Sequence, residues 1–195
     1  MKPPLLSQYL LCQHLLYRRL LACSLLVMLA SCASSYEPTR YTNEKPALDL
    51  QTYFNGKLDA WGMFQDRSGA IVKRFTVTIT CQWTGDIGTL DEDFSYADGS
   101  KQRRIWTLKK LGPDRFSGTA ADVVGEAQGV VSGNTLHWNY VLALPVDGSV
   151  YNVDFDDTMV LMDEQVMLNR AIMRKFGVEL GSVTLSFTKP NSKLP

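Results

Sequence analysis

The sequence predicts an all-β protein, an antiparallel up-and-down β-barrel of about nine strands with one short helix before the last strand. Three observations carry that prediction. Apolar residues recur at every second position in several runs, as in strands with one face in a core. Turn-forming residues separate the runs at short intervals, as hairpins require. A sheet with many such strands protects its edges by closing on itself.

The clearest strand is IVKRFTVTITCQW. Phe75, Val77, Ile79, Cys81 and Trp83 share one face, and Arg74, Thr76, Thr78, Thr80 and Gln82 the other. Leu136, Trp138, Tyr140, Leu142 and Leu144 alternate with His137 and Asn139. Tyr151, Val153 and Phe155 alternate with Asn152, Asp154 and Asp156, and Val183, Leu185 and Phe187 with Thr184, Ser186 and Thr188. Turns are expected at Asp66 to Gly69, Gly85 to Gly88, Ala97-Asp98-Gly99, Gly112-Pro113-Asp114, Gly133-Asn134 and Asp147-Gly148.

One segment departs from period two. DEQVMLNRAIMRKFG, residues 163 to 177, reads as a helix. Asp163 suits its N-cap, Arg174 and Lys175 its last turn, and Gly177 a left-handed stop. Leu168, Ile172 and Phe176 would form its apolar stripe. Strands, one helix and a final strand resemble the lipocalin arrangement, with the helix placed differently.

The N-terminus speaks of export. The run from Leu20 to Ala30 is 11 residues long, against about 20 for a membrane-spanning helix. Arg18 and Arg19 precede it and small residues follow, which makes residues 1–31 a signal peptide. Leu29-Ala30-Ser31-Cys32 resembles the bacterial lipobox. That resemblance implies cleavage before Cys32 and acylation of its thiol, and two or three acyl chains anchor a protein stably. Ala33, in place of Asp, favours the outer membrane, with the domain facing the periplasm. Residues 32–49, with two prolines and no periodicity, read as the lipidated cysteine and a flexible tether. Residues 50–190 then form a single barrel domain.

Composition excludes several functions. The whole chain has 20 basic and 20 acidic residues. Lys2, Arg18 and Arg19 leave with the leader, so the mature part is mildly acidic and offers no basic field for nucleic acid. Of the four cysteines, Cys12 and Cys23 are lost and Cys32 carries lipid. Cys81 remains without an intramolecular disulfide partner and reads as a small apolar residue on an inner strand face. The mature chain keeps one histidine, His137, which reads as an exposed strand residue. No cofactor and no metal site are expected. Asp154 and Asp156 face away from Asp157, and Asp91 and Asp93 read likewise as solvated acidic positions. Paired carboxylates such as Glu92 and Asp157 could in principle cleave a glycoside, but nothing fixes their separation. GVVSGN lacks the strand–loop–helix setting of a phosphate loop.

Alternation gives a lead on the site. Glu92 shares a face with Phe94 and Tyr96, Arg104 with Trp106 and Leu108, and Asp157 with Val153, Phe155 and Met159. If those faces point inward, three charged groups enter the barrel, where each needs a partner. One reading is an ion-pair network closing one end of the barrel. The other is a ligand site, with Arg104 receiving an anionic head group in bidentate fashion and Trp83, Trp106, Trp138, Tyr140 and Tyr151 lining an apolar cavity. An eight-stranded barrel can hold one small ligand or be filled by its own side chains.

The stretches GTLDEDFSYADG, RRIWTL, FSGTAADVVGEAQGVVSGN, LHWNYVLALPV, VDFDDTMVLMD and LNRAIMRKFG resemble, in order, the proteobacterial lipoprotein family called domain of unknown function 3833, over roughly residues 50–189. The resemblance implies a small exported lipoprotein with a lipocalin-like barrel and supplies no activity or catalytic residue. Together these readings favour a membrane-anchored binder of a small amphipathic ligand such as a fatty acid or lipid. A solid barrel docking an envelope protein partner is the alternative. An enzyme acting on a lipid or sugar comes third, since no nucleophile motif is present.

Overall fold

A computed structural model describes residues 37–190. Ten strands follow one another as an antiparallel meander: β1 (Gly56–Asp66), β2 (Ile71–Thr84), β3 (Ile87–Tyr96), β4 (Lys101–Lys110), β5 (Arg115–Thr119), β6 (Val123–Ser132), β7 (Thr135–Val146), β8 (Ser149–Leu161), β9 (Val166–Lys175) and β10 (Val178–Thr188). Each pairs with its chain neighbours, and β1 pairs with β10, so the sheet closes into a barrel. The predicted all-β class and up-and-down order hold. The signal peptide and Cys32 lie outside the described residues.

Two expectations are corrected. The first is the helix before the last strand: residues 166–175 are strand β9. Met167, Asn169, Ala171 and Met173 point inward and are buried, while Leu168 and Arg170 are exposed. The stripe Leu168, Ile172, Phe176 has a spacing of four, an even number, so it fits one face of a strand as well as one face of a helix. Burial of the true inner face overrides the helical preference of Met, Leu, Arg and Ala. The expected caps become turn devices. Asp163 Oδ1 accepts from the amides of Gln165 and Val166, both at 2.8 Å. Phe176 and Gly177 have φ of 52° and 77°, a tight hairpin turn.

The second correction concerns the tether. Its described part, residues 37–49, packs on the barrel. A 3₁₀ turn (Pro38–Tyr41) lies beside the β6–β7 hairpin, where Ser132 Oγ donates to the Pro38 carbonyl. Leu48 N–H donates to the Gly133 carbonyl at 2.8 Å. Gly133 has φ 56°, and a Cβ there would sit 1.8 Å from the Tyr41 oxygen, so the contact requires glycine.

A single helical turn, α1 (Leu50–Tyr53), then enters the barrel end, capped by Asp49 Oδ1 accepting from Thr52 N–H at 2.7 Å. Leu50, Tyr53 and Phe54 are buried there as a plug. Tyr53 donates its hydroxyl to the carbonyls of Gln165 and Phe187, each at 3.2 Å. One wall is incomplete: β5 is short, and its ladder to β4 runs only from Thr107 to Lys110.

Candidate functional site

The barrel is hollow. A cavity of about 540 Å³ runs from the plug residues Leu50 and Phe54 to the opposite end, where the exposed Lys73, Gln102 and Pro145 line its mouth. Its walls are mainly aromatic and aliphatic. Trp138 makes room by lying flat on the wall. A Cβ at Gly129, directly opposite in the ladder, would come within 2.4 Å of its ring. Trp106 packs edge-on against both Trp138 and Tyr140, and Tyr140 stacks on Phe155 with ring centres 5.0 Å apart.

Glu92, Arg104 and Asp157 all line this cavity, as do Trp106, Trp138 and Tyr140. Two expected lining residues do not. Trp83 points to the plugged end, where its indole N–H donates to the Phe54 carbonyl at 2.7 Å. Its strand runs past the cavity floor, so alternation placed it on the right face at the wrong depth. Tyr151 is on the mouth rim, exposed, with the Lys175 ammonium 4.9 Å from its ring centre.

Glu92 and Arg104 are direct neighbours across the β3–β4 ladder. The Arg104 guanidinium nevertheless goes to Asp122, in the β5–β6 turn, with Nε at 3.1 and 3.0 Å from the two carboxylate oxygens and an Nη2–Oδ2 contact of 2.6 Å. Asp122 was not foreseen. The bond spans the gap where β4 has no β5 partner, a break that alternation does not signal. Arg104 also stands 5.7 Å from the Phe94 ring centre, a cation–π distance.

Asp157 pairs with Ala171 in the β8–β9 ladder, with Asn169 its diagonal neighbour. Asn169 Nδ2 donates to Asp157 Oδ2 at 3.4 Å. Asp157 and Asn169 are only 5% and 4% exposed, and the Oδ1 atom of each has no hydrogen-bond partner among the described residues. Asn169 was hidden by the helical reading of its segment. Burial pushes both Glu92 and Asp157 up to about 7. Arg104 pulls each down, but less than burial raises it.

Other candidates settle into structural places. Cys81 is buried on the inner face, and burial pushes its thiol up to about 12, which keeps it neutral. His137 is not an exposed histidine: its side chain is largely covered, and Nε2 contacts Asp156 Oδ1 at 2.5 Å. Asp156 Oδ2 accepts from Arg174 at 3.2 Å, so this acidic position is paired. Asp91 accepts two hydrogen bonds from Arg103.

The comparisons with known proteins follow this picture. A family model described as "Protein of unknown function (DUF3833)" matches residues 26–189. No curated protein matches. Among solved structures, an S-type phycobiliprotein lyase from Guillardia theta superposes with a TM-score of 0.56 at 7% identity, covering 76% of this chain and 96% of its own. Rv2717c from M. tuberculosis superposes with a TM-score of 0.53 at 13% identity, covering 76% of this chain and 100% of its own. At such identities the likeness is one of fold.

Proposed function

The chain belongs to the DUF3833 family, and from that premise we propose that it is a lipid-anchored envelope protein that holds a small amphipathic molecule, drawn from lipids, in its barrel. One observation carries the reading: a hollow of about 540 Å³ with apolar walls and a few polar groups at mid-depth. Ligand pockets are typically about 300–1,000 Å³ and built in this way. The lipobox-like Leu29-Ala30-Ser31-Cys32 supports anchoring through Cys32, and Ala33 supports the outer membrane, with the barrel facing the periplasm. Cys81, buried and neutral, offers no nucleophile, and the role we propose is carriage or sensing.

The test is native mass spectrometry of the full chain, gently purified from the envelope, beside a lipid extract of the same sample. A co-purifying amphiphile supports the proposal; a chain that is empty and takes up none overturns it. Labelled palmitate incorporated by the full chain, and lost in Cys32→Ser, is the expected result for the anchor.

A docking role is favoured by one further observation. The β7–β8 and β9–β10 hairpins carry exposed Val146, Val150, Phe176 and Val178 at the mouth end. Adjacent apolar side chains of this kind suit an interaction site. In this second reading the rim meets an envelope partner that delivers or receives the ligand. The solid barrel of that alternative loses its basis, since a cavity is present.

A further inference from the structure

The cavity holds acidic and acceptor groups in excess of the donors that face them. Asp157 and Asn169 stand side by side, almost fully buried, and each keeps one oxygen without a partner. Glu92 faces the same space, and its interactions are with charges rather than hydrogen-bond donors. A buried acceptor left without a donor is costly, so these two, with the Glu92 carboxylate facing the same hollow, are a built site lacking its complement.

The cations that line the cavity do not supply that complement. Arg104 gives Nε and Nη2 to Asp122, which offsets its charge and turns one edge of its fork away from an incoming anionic head group. Lys73 is at the mouth, 3.7 Å from Asp98 and over the Tyr96 ring. A carboxylate entering the barrel would therefore meet three carboxyl groups, Glu92, Asp122 and Asp157, against the single charge of Arg104. A fatty acid fits the walls but not this centre.

We propose that the Glu92, Asp157 and Asn169 cluster is a head-group site for a cationic, hydrogen-bond-donating amphiphile, an aliphatic amine in its simplest form. Its nitrogen donates to Asp157 Oδ1, Asn169 Oδ1 and the Glu92 carboxylate. Its hydrocarbon part packs on Trp106, Trp138 and Phe155. The aromatic faces add cation–π attraction. The inference rests on the ligand-carrying role proposed above and specifies the chemistry of its occupant.

Proton linkage gives this site a signature. The groups sharing the inner face with Asp157 and Glu92 are Arg104, Asp122, Tyr140, Tyr96 and Cys81, while Asp91 and Asp156 act on them from the outer face. With the cavity empty, both carboxyls lie near 7. A bound ammonium favours their ionised forms, so binding releases protons and tightens as pH rises through that region. A neutral alcohol has no such dependence.

The experiment titrates decylamine, decanol and decanoate into the full chain held in amphipol, at about pH 6 and pH 8, reading the fluorescence of the cavity tryptophans. The expected order is amine, then alcohol, then acid, with amine affinity higher at the upper pH. Asp157→Asn and Glu92→Gln should each weaken the amine about tenfold or more and leave decanoate bound as well or better, which also shows that the cavity is intact. Decanoate binding as tightly as decylamine overturns the proposal while leaving the carrier role standing. Decanol matching decylamine at both pH values does the same. If none of the three binds, the carrier role itself falls.

Discussion

Arg104 stands directly opposite Glu92 in the β3–β4 ladder, yet its guanidinium is bound to Asp122, 18 residues along the chain. The choice is physical. Asp122 offers both oxygens at 2.6–3.1 Å, a bidentate match to the arginine fork. It also closes the wall where β4 and β5 part. Removing either partner strands the other charge in a largely covered place. Asp122→Ala should destabilise the protein by about 2 kcal/mol, measured by urea unfolding. The same variant frees Arg104 and should raise decanoate affinity.

Stability should depend on pH in an unusual direction. Glu92 and Asp157 have folded values near 7, above their ordinary values of 4.5 and 3.8. Between about pH 4 and pH 7 the folded state therefore binds more protons than the unfolded one, so stability falls as pH rises through that window. Empty protein should melt several degrees higher at about pH 5 than at about pH 8 in differential scanning calorimetry. Glu92→Gln and Asp157→Asn should each remove part of that difference by raising the melting temperature at the higher pH.

Gly133 is a close point of contact between the N-terminal segment and the barrel. Gly133→Ala places a methyl group against the Tyr41 carbonyl at a positive φ. It should cost about 1–3 kcal/mol and expose residues 37–48 to limited proteolysis while β7 and β8 stay protected.

One hydroxyl ties Tyr53 of the plug to two strand ends. Tyr53→Phe leaves the ring in place and removes the donor shared by the Gln165 and Phe187 carbonyls. The expected loss is about 1–2 kcal/mol, with faster amide exchange at the β8–β9 turn and the end of β10.

Phe176 is 92% exposed and sits at φ 52°, where an aromatic residue is strained and Asn is not. Phe176→Asn creates an Asn-Gly turn and should stabilise the protein by about 0.5–1 kcal/mol. If the rim docks a partner, the same variant should lose that partner in cross-linking while gaining melting temperature.

The hairpins were legible because Asp-Gly, Gly-Asn and Gly-Pro pairs occur where the chain reverses. The hairpin ending in Phe176-Gly177 was not, because an aromatic at positive φ is not a turn signal. The inner faces of β2, β7 and β8 could be read from alternation alone. That of β9 could not: Asn169 interrupts Met167, Ala171 and Met173, and the polar residue that disguises the strand is the one that serves the cavity. The same cause separates the two halves of the charged site. Glu92, Arg104 and Asp157 lie on alternating runs and could be placed inside. Asp122 lies in a turn, where period two says nothing about direction. Depth along a strand is likewise invisible to periodicity, so alternation alone does not separate Trp83 and Tyr151, at the two ends of the barrel, from the residues that line the cavity.

The short β5 has a consequence for how the protein behaves in a crowded compartment. Beyond Thr107, β4 has no ladder to β5, so residues 101–106 present an unpaired strand edge, the feature on which proteins polymerise by strand addition. Its outward positions are Lys101, Arg103 and Ile105, two cations around one apolar residue. Such charges act as gatekeepers against edge-to-edge stacking. Replacing Lys101 and Arg103 with Thr should leave the cavity lining in place and favour association of barrels through this edge.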